Sequence, residues 1–119
     1  MIKKTYNYNK TLDLLEIIFN DKYTHKKNIS ITDNITLEID TENNPRIITI
    51  QNASQELKIK STLLNDIQKI YYNINITETS IILTIRITTN DNNMYTIQKS
   101  VNNKDNLPIC NKIVNLTMD

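Results

Sequence analysis

Four carboxylates stand near one another in the first third of the chain, namely Asp13, Glu16, Glu38 and Asp40. Glu38 and Asp40 are two residues apart in an alternating segment, so we expect them on one face of a strand, about 7 Å apart. If strand pairing brings Asp13 or Glu16 beside them, the group could hold a hard cation or act as a general acid and base. The alternative is four solvated polar positions on half-exposed strands.

A polar segment at residues 21–27 contains His25, the only histidine. We expect this segment to be a loop between two strands, where a lone histidine is a surface residue more often than a ligand or a base. The segment also carries Lys22, Tyr23, Lys26 and Lys27. These side chains could contact a nucleic-acid backbone, although most nucleic-acid binders present a wider basic face.

The remaining reactive side chains favour structural roles. Cys110 is the only cysteine, so no disulfide forms within the chain, and its apolar neighbours are typical of a buried, inert thiol. The tyrosines could form a stacking platform for a ligand, but tyrosines on strands ordinarily pack in cross-strand pairs; they are Tyr6, Tyr8, Tyr71, Tyr72 and Tyr95. The chain has no glycine, which excludes a glycine-rich phosphate loop. We expect no cofactor.

Alternating apolar residues predict strands through the amino-terminal half. They indicate a short strand at residues 5–9, a longer one at residues 12–19, and a hairpin of residues 35–40 with residues 47–50 across a polar turn. Residues 12–19 are apolar on both faces, so we expect this strand to be central and covered on both sides.

One helix and a meander are expected in the second half. Leu63, Leu64, Ile67 and Ile70 have helical spacing, which predicts a helix over about residues 61–69 that covers the preceding sheet. Strict alternation then predicts three antiparallel strands through residue 101. The tail after Pro108 fits either an edge strand or a final helical turn. The fold class is therefore α+β, a predominantly antiparallel sheet with one short helix.

The first half also carries a resemblance to a known family. Tyr8-Asn9, followed by Asp-Leu-Leu-Glu-Ile from Asp13, resembles the Tyr-Asp…Asp-x-Leu-Tyr-Ile signature of a family of short prokaryotic proteins of unknown function (DUF 2283). Residues 35–40 and 48–54 resemble its Val-Ile-Leu-Asp-Tyr-Asp and Ile-Glu-Ile-Leu-Asn-Ala-Ser segments. The resemblance covers about residues 6–57 and implies a small β-rich fold of prokaryotic origin, with no known activity.

The chain departs from that family where the family has glycine. Asn34, Asn43 and Ile47 stand at these positions. Asparagine tolerates left-handed backbone conformations, so the first two replacements are benign, whereas Ile47 implies a stiffer strand or a different local register. We also expect Asn and Asp to form the turns elsewhere, at residues 33–34, 43–44, 91–93 and 102–103.

Length and charge limit the functional classes. At 119 residues we expect one domain, residues 1–119, made of a family-like half at 6–57 and a helix-plus-meander half at 61–119. The formal net charge of +1 gives no global field that would concentrate polyanions. No apolar run approaches the roughly 20 residues needed to cross a bilayer, and the first residues lack the apolar core of a secretory signal, so we expect a cytoplasmic protein. The absence of Gly and Trp, together with the many Ile and Asn residues, indicates an AT-rich genome.

These observations favour a non-enzymatic interaction module. Regular strands without a convergent reactive set suggest a β-rich protein that forms a homodimer and binds another, unidentified protein through an exposed edge or a dry sheet face. One alternative is a small metal-binding protein or hydrolase that uses Asp13, Glu16, Glu38 and Asp40. A further alternative is a weak nucleic-acid binder that uses Lys22, Tyr23, Lys26 and Lys27.

Overall fold

The computed structural model describes residues 5–19, 25–42 and 44–118. Within these ranges the chain is mostly antiparallel β-structure with two short helices. The strands are β1 (Thr5–Asn9), β2 (Leu14–Ile18), β3 (His25–Ser30), β4 (Ile35–Asp40), β5 (Pro45–Ile50), β6 (Ile67–Ile76), β7 (Ser80–Thr89), β8 (Met94–Asn102) and β9 (Cys110–Thr117). The helices α1 (Ala53–Leu57) and α2 (Ser61–Leu64) lie between β5 and β6.

The first five strands form one antiparallel sheet, which we call sheet A, in the order β1-β2-β5-β4-β3. The predicted hairpin is confirmed as β4 and β5. Its turn is closed by Asp40, whose Oδ1 accepts hydrogen bonds from the backbone N–H groups of Glu42 at 2.8 Å and Asn44 at 2.9 Å. Between Glu38 and Ile39 the register shifts, because Glu38 pairs with Ile47 but Ile39 pairs with Pro45. This β-bulge leaves Arg46 as the extra residue.

The last four strands form sheet B in the order β8-β7-β6-β9. The predicted meander is confirmed as β6, β7 and β8. The tail is an edge strand, since β9 pairs along its whole length with β6, from Lys69 opposite Thr117 to Ile76 opposite Cys110. Both sheets are thus built from neighbours that pair antiparallel, as the short connections require.

The helix expected over residues 61–69 is wrong beyond Leu64. Helix α2 ends there, and Ile67 and Ile70 belong to β6, where both are buried. A register shift between Ile67 and Lys69 explains the spacing. The extra residue of this bulge puts two side chains three positions apart on the same face of a strand, which imitates a helical period. The helix α1, absent from our expectations, contributes buried Ala53 and Leu57.

The two sheets pack face to face around one apolar cluster that draws on both. Phe19, just after β2, stacks on Tyr72 of β6 with ring centroids 4.3 Å apart. The strand β2 has one dry face, of Leu15 and Ile17, whereas Leu14 on the opposite face is only half-buried. The expectation that this strand is covered on both sides is therefore wrong, because within the described residues only one face of β2 is buried.

The strands of sheet A cross those of sheet B. The Tyr6 hydroxyl on β1 accepts a hydrogen bond from the Ile67 N–H at 3.1 Å, at the start of β6. Lys27 on β3 forms an ion pair of 3.8 Å with Asp105, which lies in the β8–β9 loop at the opposite end of sheet B. The direction across sheet A, from the edge β1 to the edge β3, is therefore parallel to the strands of sheet B. This is the crossed arrangement of a two-layer β-sandwich.

Left-handed backbone positions are formed without glycine. Positive φ angles occur at Asp13, Asn52, Lys58, Asn92 and Asn106. Four of these five are Asn or Asp, the residues that tolerate this region best after glycine. The expectation for residues 91–93 is confirmed at Asn92, whereas the turn at 33–34 forms without a positive φ. The expected turn at 102–103 is wrong, because Asn102 is the last residue of β8. Of the pair expected at 43–44, Asn43 lies outside the described residues.

The buried Tyr72 gives a stability prediction. Its side chain is fully buried, and its hydroxyl has no hydrogen-bond partner among the described residues. Burial raises the pKa of this phenol above its ordinary value. Because a buried unpaired hydroxyl is destabilising, Tyr72→Phe should raise the free energy of unfolding by about 1 kcal/mol while the Phe19 stack persists. Urea unfolding measures this; Tyr95→Phe, at a half-buried site, is the control, and a loss of stability in Tyr72→Phe would contradict the prediction.

Candidate functional site

The four carboxylates of the sequence analysis do not converge. Glu16 and Glu38 lie on the outer face of sheet A, on strands separated by β5. Asp40 closes the hairpin turn and Asp13 contacts helix α1. In the described part of the chain, no group of three or more His, Cys, Asp or Glu side chains could hold a metal ion. Asp13, Glu38 and Asp40 each have local partners of their own.

Glu38 is bound by a cation that the sequence analysis missed. The Arg46 guanidinium forms an ion pair and hydrogen bond through Nη1 with Glu38 Oε2, and Arg46 is only 3% exposed. The β-bulge explains the position, because it turns the side chain of the extra residue toward its neighbour on β4. A buried arginine requires such a partner. The only local sign of this ion pair in the sequence is that a charged residue, Arg46, directly follows the turn proline.

A second polar cluster joins β1 and the turn after it to helix α1. The Tyr8 hydroxyl donates to Asp13 Oδ1 at 2.6 Å, and the Ser54 hydroxyl donates to Asp13 Oδ2 at 2.7 Å. The Ser54 N–H donates to both Asp13 oxygens, at 3.0 and 3.2 Å. In addition, the Ala53 N–H donates to the Asp13 carbonyl at 2.9 Å. We call Tyr8, Asp13 and Ser54 the Asp13 cluster.

Electrostatics fix the charge state of the Asp13 cluster. Partial burial by itself would raise the pKa of Asp13, but the hydrogen bonds from Ser54 and Tyr8 outweigh it and lower the pKa. Burial, together with the hydrogen bond and the charge of Asp13, raises the pKa of Tyr8 to about 12. At neutral pH the cluster is therefore an aspartate held by two neutral hydroxyl groups.

The Asp13 cluster is suited to holding the fold together rather than to catalysis. A carboxylate with a lowered pKa is a weak general base at neutral pH, and the Ser54 proton is already committed to Asp13. Asp13 instead satisfies two free N–H groups at the start of α1, because its carboxylate accepts the Ser54 N–H and its backbone carbonyl accepts the Ala53 N–H. It takes the place of the usual capping residue, since Asn52 makes no side-chain cap. The cluster ties the β1–β2 turn to α1.

The basic segment differs from the expected loop. Lys22 and Tyr23 lie outside the described residues. His25, Lys26 and Lys27 belong to the edge strand β3, so their expected place in a loop is wrong. An edge strand is open to solvent along one side, which accommodates a polar sequence. Lys27 is engaged with Asp105.

The cysteine and the tyrosines are dispersed. Cys110 is half-buried at the start of β9. Tyr6 and Tyr8 pack against the core from β1, and Tyr72 is inside it. Tyr71 instead lies on the opposite face of β6, so the tyrosines do not form one platform.

The four edge strands differ in how they are protected against pairing with a strand of another molecule. The edge β1 is short, and β3 carries a register shift and two lysines. The edge β8 is flanked by helix α1, which contacts it. The edge β9 has eight residues and a single charge, Lys112. It also carries Ile113, 54% exposed, and follows Ile109, 67% exposed.

The outer face of sheet B is polar and contains no acid. Its outward positions alternate with the buried ones in the registers of the four strands. They are Lys69, Tyr71, Asn73, Asn75, Ser80, Ile82, Thr84, Arg86, Thr88, Met94, Thr96, Gln98, Ser100, Asn102, Asn111, Ile113, Asn115 and Thr117. The acidic residues of the described chain therefore lie on sheet A, on the helices and in the loops.

Comparisons with known proteins do not assign this arrangement. No protein-family model, no curated protein and no solved structure matches the chain. Among the described residues, no helix is long and apolar enough to cross a membrane.

The Asp13 cluster generates a stability prediction. Asp13→Asn keeps the size of the side chain and its tolerance of the positive φ, but it removes the charge and one acceptor oxygen. We expect a loss of about 1–2 kcal/mol in the free energy of unfolding, the size of a lost helix cap. Chemical denaturation measures it. The matched control is Asp33→Asn at an exposed position; equal effects of the two substitutions would contradict the role of the cluster.

The same cluster predicts a pH dependence. Since folding lowers the pKa of Asp13, its contribution to stability is fully present above the ordinary pKa of 3.8 and is lost as the pH falls through the lowered value. The stability difference between the native chain and Asp13→Asn should therefore be constant near neutral pH and shrink in acid. Denaturation curves over a pH series test this; a difference that grows in acid would refute it.

Proposed function

We propose that this protein is a non-enzymatic interaction module that self-associates through the edge strand β9. The observation that carries the proposal is the exposure of Ile109 and Ile113 at the least protected edge of sheet B. An edge strand offers a row of backbone N–H and C=O groups, whose natural partner is another strand. The exposed isoleucines add apolar area to that pairing.

A second copy of the chain can supply hydrogen-bond partners for the backbone groups of this edge. Two β9 strands can pair antiparallel about a two-fold axis, which makes the interface isologous. A register centred on Ile113 sets this residue opposite the partner's Ile113 and sets Lys112 opposite the partner's Val114. Like charges then do not face each other, and the two lysine stems lie along apolar side chains.

The association has a direct test. Light scattering after size exclusion should give a dimer mass at micromolar concentrations for the native chain. Ile113→Lys should shift the equilibrium toward the monomer, because it brings two charges together at the centre of the interface. Leu12→Lys is the matched control, since Leu12 is also exposed, at 65%, but lies in the β1–β2 turn. A native chain that stays monomeric, or an Ile113→Lys variant that dimerises as well as the native chain, would refute the proposal.

We further propose that the amino-terminal half is a distant relation of the DUF 2283 family. The residues that carry the resemblance support this, since Asp13 is hydrogen-bonded to both Tyr8 and Ser54, although Ser54 is 41 residues away in sequence. Residues used together for a structural purpose are those that a diverged sequence retains. The same proposal includes a prokaryotic origin and a cytoplasmic location, which rest on the sequence alone.

The two alternative functions receive less support. A metal site or hydrolase centre on Asp13, Glu16, Glu38 and Asp40 would need these carboxylates in one concavity, and they lie on separate parts of sheet A. A nucleic-acid surface on the 22–27 segment would need several free cations, and Lys27 is already paired with Asp105. The interaction module remains the function that the described residues support best.

A further inference from the structure

Arg86, on the outer face of sheet B, differs from an ordinary surface arginine because neighbouring side chains hold it in place. It lies exposed on β7, opposite Tyr71 of β6 and Thr96 of β8. Its guanidinium carbon sits 5.2 Å from the centroid of the Tyr71 ring, and its Nε donates to Thr96 Oγ1 at 3.4 Å. The side chain is thus held in place by a cation–π contact and a hydrogen bond.

No carboxylate in the described chain neutralises this arginine. Its contacts are the ring and the hydroxyl, and the outward positions of sheet B include no Asp or Glu. Asp91 lies just after β7, but its carboxylate accepts hydrogen bonds from Thr89 and Asn93 within its own turn. The Nη donors of Arg86 are therefore presented to solvent in a fixed orientation.

A pocket of about 350 Å³ opens beside this arginine. Lys69 supplies a second cation, while Thr88 and Asn92 supply a hydroxyl and an amide. Met94, 67% exposed, and Tyr71 give one side of the pocket an apolar lining. The volume is within the range of small-molecule sites.

From this geometry we propose that the Arg86 pocket binds the phosphate group of a nucleotide. A phosphate has several acceptor oxygens, which match an oriented guanidinium, an ammonium and a neighbouring hydroxyl. A carboxylate would use fewer of these donors. The exposed Met94 beside the cations gives a base or sugar an apolar surface on which to rest. The nucleotide can be a free molecule or part of a single nucleic-acid strand lying over the acid-free sheet face.

The proposal is tested by amide NMR spectra of the full chain during three titrations, with inorganic phosphate, with adenosine monophosphate and with a short oligodeoxythymidine. Saturable shifts should be confined to the residues around Arg86 and should be stronger with adenosine monophosphate than with phosphate. Arg86→Gln should weaken binding about tenfold, the size expected for loss of charge-assisted hydrogen bonds. Lys104→Gln, at an exposed loop position, is the control and should bind as the native chain does.

Each result of these titrations either identifies the source of the phosphate or overturns a part of the proposal. Tighter binding of the oligonucleotide than of the mononucleotide identifies a nucleic-acid strand as the source of the phosphate, and the reverse order identifies a free nucleotide. Binding of inorganic phosphate without the mononucleotide overturns the nucleotide assignment. Absence of saturable binding, or equal losses in Arg86→Gln and Lys104→Gln, overturns the site. Because Arg86 is exposed, its replacement should leave the unfolding midpoint unchanged, so a loss of binding cannot be attributed to unfolding.

Discussion

The mutual burial of one apolar face from each sheet is the constraint on which the rest of the structure depends. Most of the buried side chains are isoleucine and leucine, and they come from both sheets. Each fully buried aliphatic side chain contributes about 2 kcal/mol relative to an exposed one, so this shared core outweighs any polar contact in the molecule. Since each sheet has one partner, its other face must be compatible with water. The polar outer faces and the edges, where any partner must bind, follow from this arrangement.

Polar side chains then bind the backbone N–H groups and the charges that the apolar core cannot satisfy. The pairing of β2 with β5 brings the β1–β2 turn and helix α1 together, and Asp13 satisfies the free N–H groups there. Asp40 does the same for the hairpin turn, and Arg46 neutralises Glu38 beside the β-bulge. Three of the four carboxylates that looked like a reactive set, Asp13, Glu38 and Asp40, are thus used for local structure. This use leaves the edge β9 and the Arg86 pocket as the surfaces with unassigned chemistry.

Most strands could be predicted because the alternation of apolar and polar residues is a local property. Strands β4, β5, β7 and β8 follow from it directly. The error at β6 arose because the bulge near Lys69 moves Ile67 and Ile70 onto one face. A bulge is decided by pairing with β7, which the sequence of β6 does not reveal. The Asp13 cluster could not be found for a similar reason, since Asp13 and Ser54 are 41 residues apart.

By itself the sequence determined the β-rich class, the hairpin of β4 with β5, the meander and the use of Asn and Asp at most left-handed positions. These features depend on side-chain periodicity and backbone sterics within a few residues. Only the tertiary structure decided that the two sheets cross, that the carboxylates lie apart, that β9 is an edge and that Arg86 rests on Tyr71. Those outcomes depend on which face of one strand meets another strand, and that choice is set by the burial of the whole core rather than by any segment.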